Sequence, residues 1–429
     1  MFKNFWPKIV IALGVVGPGL IAGAANNDAG GISTYAYAGS RFGYLLLWVL
    51  TLNVITLFVT QSVGARLGIY TGKGLSALIR ENFGVRATVL ALLTLFIANT
   101  AVSASEMAGI ASSFEIFGVS KFITVPIFAV LIWWILYKGS FKKVERFFLL
   151  ISLFFVVYVF AAVMAQPDWA EVGRALTVPH FSFGSAYLVA FLGIMGTTVT
   201  PWGQFFIQSY IVDKGVSPKY FKIEKWEVFL SAFFTCLIAA MIIITTKNVL
   251  YDNGIVVDSA KSAALSLRPI LGNWAEFLFG FGFFCASLLG AFILPLTTSY
   301  TICEALGFEY GMNRTWKEAP WFYGLMAVII GIASVIVLLP FLSLFHIMVS
   351  AQVVNAILLP VILVFVALLM NKTKKLGLPE PSKFQKFWYN LVTWEAVVRL
   401  SLVSLLLLVV SIFPNAGDHI INWAKDILF

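Results

Sequence analysis

Apolar runs of 18 or more residues, each able to cross about 30 Å of hydrocarbon, recur along this sequence, as at 226–246 and 345–370. No other feature restricts the fold as much. Hydrophobic residues make up 60% of the chain and charged residues 11%, with a mean hydropathy of +0.93. A soluble domain is about 45–50% apolar and roughly 25% charged, so a fold in water would have too little polar surface. In lipid the backbone must satisfy its own polar groups, which leaves helices or a closed barrel. Barrel strands would alternate apolar and polar residues over about 10 positions, and these runs do not. The expected class is an all-α polytopic membrane protein.

About eleven spans are expected, near 9–38, 44–65, 87–116, 120–137, 147–165, 183–211, 226–246, 273–303, 320–340, 345–370 and 395–413. Pro340 is the divider between the ninth and tenth. The net charge of +9 does not point to nucleic acid, because Lys and Arg fall in short clusters between apolar runs. With the N-terminus cytoplasmic, about 21 basic residues lie inside and about 7 outside, which places the C-terminus outside a plasma (inner) membrane. Lys3 and Lys8 precede an apolar stretch that runs into a Gly- and Asn-rich segment, so no cleavable leader is expected. Cys236, Cys285 and Cys303 lie within apolar segments at no metal-ligand spacing and are expected as small core residues.

Two spans are interrupted in a way that hydrocarbon does not tolerate without purpose. Span 1 carries Gly23-Ala24-Ala25-Asn26-Asn27-Asp28-Ala29-Gly30-Gly31. An ionisable residue at mid-span costs at least about 2.5 kcal/mol on insertion scales. Gly30 and Gly31 are expected to weaken the helix and open the chain there. Span 6 carries Gly196-Thr197-Thr198-Val199-Thr200-Pro201-Trp202-Gly203. Pro201 has no N–H to return to the Thr197 carbonyl, and a free carbonyl at membrane depth needs a partner such as a cation or water.

Either break alone would be an ordinary kink, since Gly and Pro are common in membrane helices. Together, five spans apart and at similar depth, they have the signature of inverted repeats around a mid-membrane site. The expected organisation is one transporter domain over 1–429: a first repeat at 1–170, an inverted second at 180–370, and an appended span with an external tail at 371–429.

Asp28, the freed carbonyls and the Thr hydroxyls offer only oxygen, which suits hard cations such as Mg²⁺, Mn²⁺ or Ca²⁺. Met195, next to Gly196, is not an expected ligand. His180 and His419 fall in outer loops, and His346 at the start of span 10 suits an interfacial hydrogen bond. No phosphate-binding loop with lysine and no nucleophile–base pair is present, so neither ATP use nor enzymatic chemistry is expected. No cofactor is expected.

Further motifs resemble the Nramp family of divalent-metal transporters: Gly17-Pro18-Gly19, Gly39-Ser40-Arg41-Phe42-Gly43-Tyr44, Leu46-Leu47-Trp48, Ala65-Arg66-Leu67-Gly68-Ile69-Tyr70-Thr71-Gly72 and Ser350-Ala351-Gln352-Val353-Val354. With the two breaks they extend the resemblance over most of the chain. It implies a LeuT-type fold, a 5+5 inverted repeat with broken helices 1 and 6.

The departures from the family concentrate in the chemistry. The family's Asp-Pro-Gly-Asn is here Asp28-Ala29-Gly30-Gly31, which keeps the aspartate and loses the asparagine ligand. The family's Ala-Thr-Val-Met-Pro-His is here Thr197-Thr198-Val199-Thr200-Pro201-Trp202, with Thr200 for the metal-binding methionine and Trp202 for a histidine. Asp-Leu-Ala-Glu of span 3 becomes Ser103-Ala104-Ser105-Glu106, and the arginine pair of span 9 has no counterpart in Pro320-Trp321-Phe322-Tyr323.

This set of losses looks like the Nramp-related magnesium transporter branch and implies Mg²⁺ and Mn²⁺ as substrates of a uniport, without obligatory proton coupling. The implied metal positions are Asp28, Gly31, Thr197, Thr200 and Gln352, supported by Asn27 and Trp202. Glu106 is open between a vestigial proton relay, a second carboxylate facing the site, and a core residue hydrogen-bonded to Ser103 or Ser105. Gln352 is open between a ligand and an interhelical hydrogen bond. Glu395 and Arg399, one turn apart, suit a structural pair.

The alternatives are a proton-coupled Mn²⁺/Fe²⁺ symporter, an amine or amino-acid carrier on the same fold, and a non-transporting sensor. The expected partners are the metal substrate and the lipid bilayer, with the chain a monomer.

Overall fold

The computed structural model describes residues 27–138, 157–312 and 314–413. Among them every regular element is helical. The principal helices are α1 (Ala29–Phe42), α2 (Leu47–Thr71), α3 (Leu75–Glu115), α4 (Lys121–Tyr137), α5 (Val157–Met164), α6 (Trp169–Thr177), α7 (Ser185–Thr198), α8 (Pro201–Lys214), α9 (Phe221–Val249), α10 (Ala275–Leu306), α11 (Pro320–Leu338), α12 (Leu344–Met370) and α13 (Lys383–Ile412). Nine of the eleven expected spans have a counterpart among the described residues, with α7 and α8 together forming the sixth, and of spans 1 and 5 only the later parts, α1 and α5, are described. Eight stretches among the described residues are long and apolar enough to cross a membrane, and Lys121–Tyr137 is a shorter apolar helix. The first half of span 1 with Asn26, the start of span 5 and His419 lie outside the described residues.

Loop contacts fall into two groups, as alternating spans require. At one end Gln208 Nε2 donates to the Lys73 carbonyl at 2.8 Å, and Lys372 Nζ to that of Asn82 at 3.3 Å. There too Arg66 donates to the Pro379 carbonyl and Arg80 to that of Ala305. At the other end Trp48 Nε1 donates to the His180 carbonyl at 3.0 Å, Lys121 Nζ to that of Leu339 at 2.9 Å, and the Val257 amide to Ser40 Oγ at 3.0 Å. The first end is the basic one.

Helix limits depart from the hydropathy windows in two places. α3 starts at Leu75 rather than near 87, and Gly84 inside it has φ 80°. That left-handed conformation, open to glycine at no steric cost, bends the chain where the apolar window opens. α13 starts at Lys383 rather than 395, capped by Ser382 Oγ accepting from the Gln385 amide at 3.2 Å. Its first turns hold Lys383, Gln385, Lys386 and Asn390, too polar for an apolar window yet helical all the same.

The core packs α3 against α10 and α12, and α12 against α7, with Tyr35, Phe191, Phe279 and Phe292 buried. α13 lies at the edge and exposes Leu402, Leu405, Leu408 and Ile412, as a lipid-facing helix does. The three cysteines are buried and unbridged.

Candidate functional site

The sixth span is two helices. α7 ends at Thr198, Val199 and Thr200 are extended (φ −109°, ψ 93° and φ −97°, ψ 146°), and α8 begins with Pro201 as its first residue. Thr200 Oγ1 accepts from the Gly203 amide at 3.2 Å. This hydroxyl caps α8, so its bond to the helix competes with a role toward a cation.

α1 begins the same way. Asp28 is extended (φ −71°, ψ −178°), and its Oδ1 accepts from the Gly31 amide at 2.7 Å. This corrects one expectation: Gly30 and Gly31 do not break the helix but form its first turn. The carboxylate cap fixes the start at Ala29, because an N-terminal acceptor satisfies orphan amides and complements the helix dipole.

Gly30 is needed for close approach instead. A Cβ there would lie 1.9 Å from Gln352 Nε2 and 2.6 Å from Ser105 Oγ. Gly31 commits its amide to Asp28 and has no side chain to serve as a ligand.

Glu106 comes from α3 and is fully buried, its carboxyl neighbouring Asp28 and the Ala29 amide with neither oxygen hydrogen-bonded. Gly290 of α10 makes room for it, since a Cβ there would stand 2.8 Å from Glu106 Cγ and Cδ. Of the alternatives for Glu106, the geometry is that of a second carboxylate at the start of α1. Two buried carboxyl groups in contact need positive charge between them, a shared proton or a cation.

Gln352 of α12 joins the two breaks. It is fully buried, its Nε2 lies by Gly30, and its carbonyl oxygen would be 1.9 Å from a Cβ at Gly196. One turn on, Asn355 Nδ2 donates to the Gly196 carbonyl at 3.3 Å and to Gln352 Oε1 at 3.5 Å. Sequence reasoning missed Asn355. Its signal was present, a second amide three residues after Gln352 in an apolar helix. Tyr35 was missed as well. Its hydroxyl pairs with Thr198 Oγ1 at 3.1 Å and ties α1 to the end of α7.

Asn27 is buried beside Asp28. Trp202 sits in an apolar cluster with Val59, Val63 and Phe205 and stacks edge-on against Phe206 at 5.5 Å. Met195 Sδ accepts from Arg399 Nη1 at 2.9 Å, so its sulfur is engaged. Arg399 also holds Glu395, Nε to Oε1, at 2.6 Å, the pair expected from their spacing. His346 hydrogen-bonds Ser343. Among the described residues no group of three or more His, Cys, Asp or Glu gathers into a metal cage. Among the described residues the carboxyl groups at the start of α1 are those of Asp28 and Glu106.

Residues 19–410 match the profile of the Nramp, or natural resistance-associated macrophage protein-like, family. The chain belongs to the Nramp family. Similar members include proteins named divalent metal cation transporter MntH. That of Caldanaerobacter subterraneus is 30% identical over 65% of this chain and 69% of its own length, and that of Yersinia pestis 28% over 66% and 70%. The fold matches the crystal structure of the Eremococcus coleocola manganese transporter with TM-score 0.73 at 20% identity, covering all of this chain and 93% of that one. It also matches MhsT, crystallised with L-phenylalanine, with TM-score 0.60 at 15% identity over 90% of this chain and 98% of that one. The Nramp fold here is therefore LeuT-type, with its sixth span interrupted at Val199–Thr200 and α1 starting behind Asp28.

Proposed function

We propose that this protein carries Mg²⁺, and Mn²⁺ with it, across the plasma membrane by alternating access without obligatory proton coupling. The observation that carries the reading is the Asp28–Glu106 carboxyl pair at the start of α1, joined through Gln352 to the unwound end of α7. Relatives named divalent metal cation transporters support the ion class.

Within that class the ligand chemistry favours the harder ion. Mg²⁺ binds oxygen, keeps several waters and uses one or two carboxylates. Gly31 and Thr200 leave room for such waters, and the sulfur of Met195, beside Gly196, is held by Arg399, while that of Met348 accepts from Ser33 Oγ at 3.5 Å. Without a soft ligand, Mn²⁺ has no advantage beyond its ordinary place in the affinity order. In this reading Asp28 and the Thr197 carbonyl touch the ion, and Gln352 holds it or one of its waters. Thr200 stays with its cap, close enough to bond a water. The basic end faces the cytoplasm, as the Lys and Arg bias demands, and the chain acts as a monomer.

One observation favours a second reading. Glu106 beside Asp28 is what a proton-coupled Mn²⁺/Fe²⁺ symporter would need, with a proton leaving the pair as the metal arrives. Reconstituted protein separates the two. Mg²⁺ influx read by a trapped dye, with no acidification of the lumen, is expected for the first. Acidification that tracks Mn²⁺ influx, with Mg²⁺ excluded, would establish the second. Mg²⁺ influx unaltered by Asp28→Ala would remove the site altogether.

A further inference from the structure

α8 turns an unusual face into the protein. Pro201, Gln204, Gln208 and Ile211 recur at helical spacing and are all buried. Gln204 is 1% exposed, and neither its Oε1 nor its Nε2 has a hydrogen-bond partner. Gln208 is fully buried and donates Nε2 to the Lys73 carbonyl, while its Oε1 has no partner. Buried amides are normally satisfied, and an orphaned one marks a place for water or an ion.

α2 supplies the opposing wall. Gly64 and Gly68 admit α8 closely: a Cβ at Gly68 would lie 2.9 Å from the Gln208 carbonyl, and one at Gly64 2.9 Å from Ile207 Cγ2. One turn before Gly64, Gln61 Nε2 approaches the Cβ position of Gly203 to 3.9 Å. Three glutamines thus line the seam of α2 and α8. Gln204 and Gln208 lie about 6 and 12 Å along the helix from Thr200 at 1.5 Å per residue.

The seam ends at a carboxylate. Gln208 reaches the Lys73 carbonyl, and the next residue, Gly74, lies against Glu304. A Cβ there would be 2.8 and 2.9 Å from the two Glu304 oxygens. Ser76 Oγ donates to Glu304 Oε2 at 2.8 Å.

We infer that Gln61, Gln204 and Gln208 form a second cation station, which takes a divalent ion with its hydration shell from the breaks and passes it to Glu304 at the basic end. Waters on a dication are strong donors that need acceptors around them, and a strongly hydrated ion is reluctant to shed them. Neutral amide oxygens accept from those waters without holding the ion as a carboxylate would, and permeation requires a stop weak enough to leave. The inference rests on the cation-transport reading of the breaks.

The test uses the full chain in proteoliposomes, with Mg²⁺ influx as one readout and equilibrium Mn²⁺ binding as the other. Gln204→Leu and Gln208→Leu are each expected to lower Mg²⁺ influx at least about tenfold, with Mn²⁺ affinity within about twofold of wild type. Gln204→Leu should cost no melting temperature, because leucine removes an unpaired buried amide, whereas Gln208→Leu also frees the Lys73 carbonyl and should lower it slightly. Gln208→Glu gives an independent readout, since a charged ligand should trap the ion and raise bound Mn²⁺ from one to two per chain. Normal influx through the Gln204→Leu/Gln208→Leu double variant, or a Gln208→Glu chain that still binds one ion, would overturn the station. Asp28→Ala keeps the two readings apart. Influx unaffected there sinks the site at the breaks, whereas influx lost there but normal in the leucine variants sinks only the seam.

Discussion

Gly196 and Gln352 touch backbone to backbone: a methyl group on Gly196 would stand 1.9 Å from the Gln352 carbonyl oxygen and 2.7 Å from the Ala356 amide nitrogen. At Gly30 the obstacle is instead the movable end of the Gln352 side chain. Gly196→Ala should therefore cost about 3 kcal/mol, at the upper end of ordinary overpacking, and Gly30→Ala about 1 kcal/mol. Gln352→Ala should recover much of the melting temperature lost in Gly30→Ala, where Ser105 Oγ remains at 2.6 Å, but not that lost in Gly196→Ala. Equal rescue of both would show that α12 moves as a whole.

Asp28 and Glu106 are expected to act as a unit. A cation and protons compete for the same oxygens, so Mn²⁺ affinity should fall as pH falls. Glu106→Gln removes one competing carboxyl and should flatten that dependence while weakening binding at neutral pH about tenfold. Titrating Mn²⁺ binding from pH 5 to 8 checks it, and an unchanged slope would separate Glu106 from the ion.

Thr200→Met should shift selectivity toward the softer ion, because a thioether favours Mn²⁺ over Mg²⁺. Mg²⁺ influx is expected to fall more than Mn²⁺ influx, by about an order of magnitude in their ratio. The same substitution removes the cap on α8, which costs about 1 kcal/mol, so a lower melting temperature should accompany it. A ratio that does not move would place residue 200 away from the ion.

Arg399 ties the last helix to the break by holding Glu395, Met195 Sδ and Thr56 Oγ1. Arg399→Leu strips Glu395 of its partner within a membrane helix, and breaking such a pair costs about 3 kcal/mol where it is buried. Glu395 is 45% exposed along its side chain, on the outer face of a membrane helix, so a loss between about 1 and 3 kcal/mol is expected. Glu395→Leu in the same chain should recover most of the loss, which a double-mutant cycle on melting temperature would measure.

The amino-acid sequence by itself determined the membrane class, most of the spans and the interruption at Pro201, since all of these are local. A run of apolar residues either spans hydrocarbon or does not, and a proline has no amide wherever it lies. It left Glu106 and Gln352 open and passed over Asn355, Tyr35 and the glutamines of α8, because their meaning depends on which helix each one meets. It also misjudged Gly30 and Gly31. A glycine pair beside an aspartate looks like a weak point until the aspartate caps the helix and Gln352 occupies the space a side chain would need. Only the tertiary structure decided these cases, by bringing helices far apart in sequence within bonding distance where no water is at hand to satisfy a polar group left alone.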